Sequence, residues 1–265
     1  MSHFFSRARI VQEGLNRGEL LRLAGGDAYF DHALVWRLFP GDGAARDFVF
    51  RAIRNGAGWP EFFVVSQREP APVLGLLMVE TKLYEPKLGA GDRVQFSLRA
   101  NPTQVSVQTI PEDALASYNA KRSMIGKPSQ GRRRKRIFHD VLMDAKKRMG
   151  HPLPIIAPRA ERDACEKSAD EAVRNWFLQR AQKWGLSICQ RENLSSTLPE
   201  PTLDWSGYRQ HRPLHRGRAI QFSSVDYEGY AEVIDPDKLT KALTTGIGRA
   251  KAFGCGLLLV RRLTD

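Results

Sequence analysis

The sequence predicts an α+β protein in which two units with a similar order of elements follow each other. Three observations lead to this prediction. Short apolar or alternating segments, typical of β-strands, occur near both ends of the chain. Helical patterns lie between these segments. With 265 residues and 42% hydrophobic side chains, the chain can form one large core or two small ones.

The first hundred residues give a strand, a helix and then several strands. Asp27 is placed to cap a helix over residues 28–39, which Pro40 then closes. The segment 73–84 fits either a helix or a strand. The predicted strands are residues 4–12, 46–54, 61–67 and 93–101.

The middle of the chain, residues 112–183, is rich in charged residues and alanine. It predicts two helices, near 135–149 and 161–184, which prolines separate. The apolar stripe of the second helix carries Trp176, Phe177 and Trp184. Because these aromatic residues recur at helical spacing, we expect them in the core rather than stacked on nucleic-acid bases.

The last part of the chain returns to strands. We expect a strand at 186–189, a basic loop over 192–217, and a helix that Pro236 opens. Residues 218–224 and 227–234 predict a hairpin around Asp226.

The two halves together favour tandem ferredoxin-like (RRM-like) domains with a helical basic insertion, a fold that presents a sheet to single-stranded nucleic acid. The predicted segments are an N-terminal domain over 1–111, the insertion over 112–184, and a C-terminal domain with the glycine-rich loop over 185–265.

Charge indicates the class of partner. Lysine and arginine number 41 against 29 acidic residues, a net charge of +12. This excess favours nucleic acid, and a membrane surface is the competing interpretation. No apolar run approaches the roughly 20 residues of a spanning helix, and the start of the chain has no signal-like apolar core. We therefore expect a cytoplasmic protein. The histidines and the three cysteines have no metal-ligand spacing, so we expect no metal and no cofactor.

A glycine-rich segment near the C-terminus is the clearest candidate for binding an anion. Its glycines are Gly246, Gly248, Gly254 and Gly256, and they bracket Arg249 and Lys251. Backbone amides in such a loop attract phosphate, and the two cations add charge. The dinucleotide and Walker patterns do not fit. A tight turn with glycines used for packing explains the segment equally well.

The predicted N-terminal helix is the best candidate for catalysis. Tyr29, His32 and Trp36 recur at i, i+3 and i+7, so they share a face. A histidine beside a tyrosine and among cations suits proton transfer near neutral pH. A surface histidine or a satisfied core histidine is the simpler alternative.

Two clusters of cations are candidate RNA contacts. One is the run Arg132, Arg133, Arg134, Lys135 and Arg136. The other contains Arg209, His211, Arg212, His215, Arg216 and Arg218. Such runs are often solvated faces, but the net charge of +12 favours phosphate contact.

Four motifs together resemble the CasE family of CRISPR-associated endoribonucleases. They are Tyr29-x-x-His32-x-x-x-Trp36-x-Leu38-Phe39-Pro40, Arg46-Asp47-Phe48-x-Phe50, Leu98-Arg99-Ala100-Asn101-Pro102 and Gly246-Ile247-Gly248-x-Ala250-Lys251-x-x-Gly254-Cys255-Gly256-Leu257-Leu258. Order and spacing match across the first hundred residues and the last fifty. A weaker match covers 217–232.

The resemblance implies a metal-independent nuclease that cuts a CRISPR repeat transcript at the base of its hairpin and joins an effector complex with the product bound. The ribose 2′-hydroxyl attacks the adjacent phosphate and leaves a 2′,3′-cyclic phosphate. His32 falls on the catalytic histidine of the family, with Tyr29 assisting. The long basic middle departs from compact members and resembles the crRNA-processing protein of type IV systems. If the type IV resemblance applies, arginines such as Arg22 or Arg37 of this chain would carry cleavage rather than His32.

Two other functions stay open at this stage. A non-cleaving RNA-binding subunit of a CRISPR effector complex could share this fold, although the Tyr29 and His32 pair argues against it. A basic DNA-binding protein or an unrelated α+β enzyme would also fit the composition.

Overall fold

The structure is a computed structural model that describes residues 2–41, 45–54, 59–131, 134–154, 156–191, 200–215 and 218–263. The strands are β1 (Phe4–Ile10), β2 (Phe48–Ile53), β3 (Glu61–Ser66), β4 (Leu77–Leu83), β5 (Arg93–Ala100), β6 (Thr103–Thr109), β7 (Arg134–Asp140), β8 (Leu186–Ile188), β9 (Gln190–Arg191), β10 (Glu200–Pro201), β11 (Leu203–His211), β12 (Leu214–His215), β13 (Arg218–Ala219), β14 (Phe222–Val233) and β15 (Leu258–Arg262). The helices are α1 (Arg17–Ala24), α2 (Ala28–Trp36), α3 (Glu112–Ser123), α4 (Val141–Arg148), α5 (Arg159–Ala181) and α6 (Pro236–Thr245). The chain forms two compact units, residues 1–102 with 173–265, and residues 103–172.

The larger unit contains two antiparallel sheets with the same strand order. The first runs β2-β3-β1-β4, and α1 and α2 connect β1 to β2. The second runs β11-β14-β5-β15, with β8 also paired to β14. In chain order the second sheet uses β5, α5, β11, β14, α6 and β15. Each sheet therefore has the ferredoxin-like order, and the predicted α+β class with tandem ferredoxin-like domains is confirmed.

Period-two alternation gives each sheet one face for its helices and one face for the other sheet. On β2, Phe48 and Phe50 lie in the core beneath α1 and α2. Their neighbour Val49 packs instead with Leu257 and Val65 in a small apolar cluster. On the far side of the second sheet, the rings of Phe96, Phe177, Trp176, Trp184 and Tyr227 pack together. The aromatic residues of α5 are therefore core residues, as predicted.

An ionic network joins the two sheets where their inner faces meet. Arg99 of β5 donates from Nε and Nη2 to the two carboxylate oxygens of Asp226 on β14, at 2.8 Å each. Arg51 of β2 donates to Asp226 at 3.2 Å and to Ser97 at 2.8 Å. The Arg99 Nη1 atom also donates to the Ala52 carbonyl. The Arg51 side chain is only 8% exposed, so these bonds are shielded from water.

The smaller unit is built around the hairpin of β6 and β7. Asp140 caps α4 by accepting from the Met143 amide. Gln104 donates to Asp144, and the Ser106 hydroxyl bonds His139, so polar contacts hold one side of the hairpin. Arg134, Lys135 and Arg136 are exposed at the start of β7.

Three predicted elements differ from those observed. The helix expected near 135–149 is strand β7 followed by α4, because the cations pair as a strand with β6. The loop expected over 192–217 contains β11, whose bulge between Ser206 and Arg209 hides the strand periodicity. The hairpin expected around Asp226 is the continuous strand β14, since the two arginines hold this turn-forming residue in the sheet.

The pairing of β5 also gives boundaries that differ from the predicted segments 1–111, 112–184 and 185–265. β5 falls within the predicted N-terminal segment but lies in the second sheet, between β14 and β15. The basic insertion therefore interrupts the second ferredoxin-like domain after its first strand. The alternation of β5 predicts a strand equally well in either sheet, since periodicity carries no information on the partner.

Replacing Asp226 by alanine should lower the free energy of unfolding by about 3 kcal/mol, because it leaves the buried Arg51 and the half-buried Arg99 without their carboxylate. Urea denaturation would measure this change. The matched control is Glu232→Ala, an exposed carboxylate on the same strand. If the free energy of unfolding fell by the same small amount in both variants, the network would not be what holds the sheets together.

Candidate active site

Helix α2 brings three predicted site residues onto one face. The Asp27 side chain caps the helix by accepting from the amides of Tyr29 and Phe30. The ring centroids of Tyr29 and His32 are 6.3 Å apart, and those of His32 and Trp36 are 6.1 Å apart. His32 is half-buried. The i, i+3, i+7 spacing therefore forms a local cluster, as the sequence predicts.

The Trp36 side chain fixes one nitrogen of His32. Its indole Nε1 donates a hydrogen bond to His32 Nε2 at 3.0 Å. Indole N–H is a donor only, so Nε2 must be the unprotonated nitrogen of the neutral ring. The proton then resides on Nδ1. This contact orients the imidazole and selects its tautomer, the role that a second group plays for many functional histidines.

The glycine-rich loop packs against this helix, although the two are at opposite ends of the chain. The ring centroid of Phe253 lies 6.2 Å from that of His32. All four glycines of the loop, and Ala250, have positive φ. A Cβ on Gly246 would come within 2.8 Å of Val49 Cγ2, and one on Gly256 within 2.4 Å of the Ile247 carbonyl. These two glycines therefore allow close packing on β2 and closure of the loop.

Most of the loop is occupied by bonds within the protein, which restricts the predicted phosphate cradle. The amides that donate to protein carbonyls are those of Gly246, Ile247, Phe253, Cys255 and Gly256. Lys251 Nζ donates to the Thr245 carbonyl at 2.7 Å and so caps α6. Burial, with Arg46 nearby, lowers the pKa of Lys251. The exposed tip is Gly248 and Arg249, so the tip is the part of the loop that solvent reaches.

An aromatic stack extends from the loop to the second basic cluster. Phe253 stacks on Phe222 with centroids 4.9 Å apart. Phe222 stacks in turn on the His211 imidazole at 4.5 Å, with the planes only 10° apart. His211 Nε2 bonds the Ser224 hydroxyl at 2.8 Å. His32 and His211 are therefore linked through two phenylalanine rings.

His211 is held as a neutral ring. Burial is the largest cause that lowers its pKa, and the positive charges of Arg209, Arg99 and Arg54 lower it further, to about 4. At neutral pH, the positive charge beside the stack therefore comes from the arginines.

Two connected cavities lie beside the N-terminal end of α2. The outer cleft, of about 470 Å³, is lined by residues 25–28, by 209–214 and by Arg22. The inner cavity has a volume of about 140 Å³. It is lined by Gly26, Ala28, Asp31, Ala52, Arg54, Arg99, Gly207, Arg209, His211, Ser224, Phe253 and Gly254. Three residues of the predicted basic cluster line these cavities, beside the helix that bears His32: Arg209, His211 and Arg212.

The two candidate arginines of the type IV alternative have different surroundings. Arg22 lines the outer cleft, donates to Asp27 at 2.9 Å, and lies over the Phe30 ring. Arg37 is exposed at the C-terminal end of α2, and its Nη2 lies 3.6 Å from a Glu19 carboxylate oxygen. The geometry therefore associates Arg22, but not Arg37, with the cleft.

Several predicted contacts fall outside the described residues. They are Arg132, Arg133 and Arg216, and the side chains of His215 and Arg218. Among the described residues, no group of three or more His, Cys, Asp or Glu side chains is placed to hold a metal ion.

Sequence reasoning missed Arg54 and Asp31, which line the inner cavity. Arg54 donates from Nη2 to both carboxylate oxygens of Asp31, at 2.7 Å each. Burial raises the pKa of Asp31, and Arg54 opposes that effect. The only sequence signal was an acidic residue inside an otherwise apolar helix stripe, next to His32.

Stability should fall as the pH drops from about 6.5, the pKa of an unfolded histidine, towards 4, because the unfolded chain binds a proton there that folded His211 does not. His211→Gln should reduce this loss by about 1–2 kcal/mol, a value discounted for partial exposure. Urea denaturation at pH 7 and pH 5 measures it, with His3→Gln as the control. Identical pH dependence in wild type and His211→Gln would contradict the assignment.

Known proteins resemble the chain over most of its length. It is 25% identical over 178 residues to the CRISPR-associated endoribonuclease Cse3 of Thermus thermophilus, covering 63% of this chain and 77% of that protein. It is 27% identical over 237 residues to the CRISPR system Cascade subunit CasE of Escherichia coli, covering 88% and 90%. None of the described helices is long and apolar enough to cross a membrane.

Solved structures show the same fold. Thermus thermophilus Cse3 bound to an RNA representing a pre-cleavage complex matches 98% of this chain and 100% of that one, with a TM-score of 0.58 and 20% identity. Cas6e of Escherichia coli matches 98% and 100%, with a TM-score of 0.53 and 22% identity. The family described as CRISPR associated protein matches residues 3–262. The resemblance to CasE proteins is thereby confirmed, and the chain belongs to this CRISPR-associated protein family.

Proposed function

We propose that this protein is a CRISPR RNA-processing endoribonuclease. It binds the repeat hairpin of the precursor transcript, cuts at the base of the hairpin, and keeps the mature crRNA bound. The observation that carries the proposal is the oriented imidazole of His32 beside a cleft lined by three arginines, Arg22, Arg209 and Arg212. Relatives named as an endoribonuclease and as a Cascade subunit support it.

The proposed reaction needs no metal ion. The ribose 2′-oxygen attacks the adjacent phosphorus, the bond to the 5′-oxygen breaks, and the products are a 2′,3′-cyclic phosphate and a 5′-hydroxyl. One proton must leave the 2′-oxygen and another must reach the departing 5′-oxygen. His32, oriented by the Trp36 indole, would serve as general acid or general base for one of these transfers. Tyr29 assists from the same helix face.

Cations of the outer cleft stabilise the charge that develops on the phosphorane. Arg22 stands at the N-terminal end of α2, where the partial positive charge of the helix adds to its own. Arg37 is the further candidate only if His32 proves dispensable.

RNA binding beyond the cut site would use the predicted basic contacts. The exposed Arg134, Lys135 and Arg136 of β7 offer phosphate contacts in the smaller unit. In the larger unit, Arg209, Arg212 and the tip formed by Gly248 and Arg249 offer others. Arg132, Arg133, Arg216 and Arg218 belong to the same proposal. Other subunits of a CRISPR effector complex would be the protein partners. A non-cleaving crRNA-binding subunit is the alternative function.

His32→Ala should retain hairpin binding and lose about 10²–10⁴-fold in cleavage rate, because one of the two proton transfers loses its general acid or base. A repeat hairpin RNA in excess EDTA, with the product ends identified by mass spectrometry, tests both the rate and the chemistry. His139→Ala, in the smaller unit, is the matched control. Full activity of His32→Ala would redirect the assignment to Arg22 and Arg37, and absence of any cleavage by wild type would favour the non-cleaving alternative.

Trp36→Phe should lower kcat by about tenfold with little change in hairpin affinity, because one hydrogen bond that orients the imidazole is lost. The pH profile of kcat should change as well, since the ring is no longer held in one tautomer. Trp59→Phe, which packs against the same N-terminal core, controls for the loss of an indole. An unchanged pH profile in Trp36→Phe would leave the indole with a packing role only.

A further inference from the structure

We propose that the inner cavity binds one phosphodiester of the RNA backbone next to the bond that is cut, and so sets the register of the substrate on His32. The inference rests on the proposed function, since it deepens the substrate contacts of the same site. It concerns the cavity of about 140 Å³ defined above, whose walls all belong to the larger unit.

The charge of the cavity wall favours an anion. Three arginines, Arg54, Arg99 and Arg209, line it against a single carboxylate, that of Asp31. Arg99 is committed to Asp226 and to the Ala52 carbonyl. Arg209 uses one guanidinium nitrogen for the Gly25 carbonyl. The wall thus keeps an excess of positive charge in a space that is partly screened from water.

A donor in the cavity wall also lacks its acceptor. Among the described residues, the Nε atom of Arg54 is buried and has no hydrogen-bond partner. A buried donor without a partner carries a free-energy cost that an incoming oxygen would relieve. This feature points to an acceptor-rich ligand, and a phosphate presents only acceptor oxygens.

The same wall disfavours a nucleobase. Most base edges present donors that need an acceptor on the wall of the pocket, whereas a phosphate needs donors alone. Both oxygens of Asp31 already accept from Arg54, and the Ser224 hydroxyl is bonded to His211. The available groups are mainly donors, and the volume is that of a small group rather than of a whole nucleotide.

The position of the cavity gives this phosphate its role. Gly26, Ala28, Arg209 and His211 line both the outer cleft and the inner cavity, so a strand in the cleft can place one group inside. Phe253 forms part of the wall, and its ring is the neighbour of the His32 ring, 6.2 Å away. A phosphate held there lies one aromatic ring from the histidine that cuts, which suits the adjacent linkage.

The experiment replaces single linkages around the cut site of the repeat hairpin by uncharged methylphosphonates. In wild type, one linkage next to the cut should weaken equilibrium binding by about tenfold when neutralised, because a charge-assisted contact is lost. The loss of affinity at that linkage should fall below about twofold in Arg209→Gln and in the double variant Asp31→Asn/Arg54→Gln. Once the cavity side chains no longer bind the phosphate, removing its charge has little further effect, as in a double-mutant cycle. The loss should persist in Arg212→Gln, whose arginine lines the outer cleft only.

The outcomes separate this inference from the proposed function. Loss of the effect in the two cavity variants, with no cleavage by any variant, supports the phosphate site and removes the nuclease. If neutralising each linkage weakens binding by the same factor in wild type and in both cavity variants, the phosphate site is overturned, whether or not RNA is cut. Stabilisation of wild type by inorganic phosphate, without any linkage-specific effect, also overturns it by indicating a site for free anions. Thermal unfolding verifies that each variant is folded.

Discussion

The contact between Arg99, Arg51 and Asp226 is the constraint on which the rest of the site depends. It joins the inner faces of two sheets, each of which packs its helices on its outer face. The small apolar cluster of Val49, Val65 and Leu257 supplements it. Arg99 also donates to the carbonyl of Ala52, so the network fixes the end of β2. Arg54 follows this strand and donates to Asp31 of α2. The position of His32 is therefore tied to the second domain through charges.

The same network explains why the cavities exist. A half-buried carboxylate shared by two arginines resists close packing by apolar side chains, so the space around it stays polar. Gly207 lies opposite Asp226, where a Cβ would approach the carboxylate to 3.2 Å. One surface therefore contains the polar junction between the sheets, the aromatic stack through Phe222 and Phe253, and the arginines of the cleft.

Features that depend on residues close together in the sequence could be predicted, and features that depend on residues far apart could not, for a physical reason. Periodicity and the Asp27 cap predicted α2, and the i, i+3, i+7 spacing predicted its functional face. The partner of β5 was not predictable, because alternation describes a strand and not its neighbour. Arg54, Phe222 and Phe253 became candidates only once the fold brought them to His32 and His211, since isolated arginines and phenylalanines carry no local signature.

The packing of Phe253 against His32 has a consequence for synthesis of the protein. Nearly the whole chain must leave the ribosome before the ring of Phe253 can meet the helix that bears the histidine. A nascent chain that has folded only its first sheet exposes Tyr29 and His32 without the glycine loop or the arginine cleft. The nuclease activity proposed above would therefore arise only after the segment that bears Phe253 has been made and has packed against helix α2.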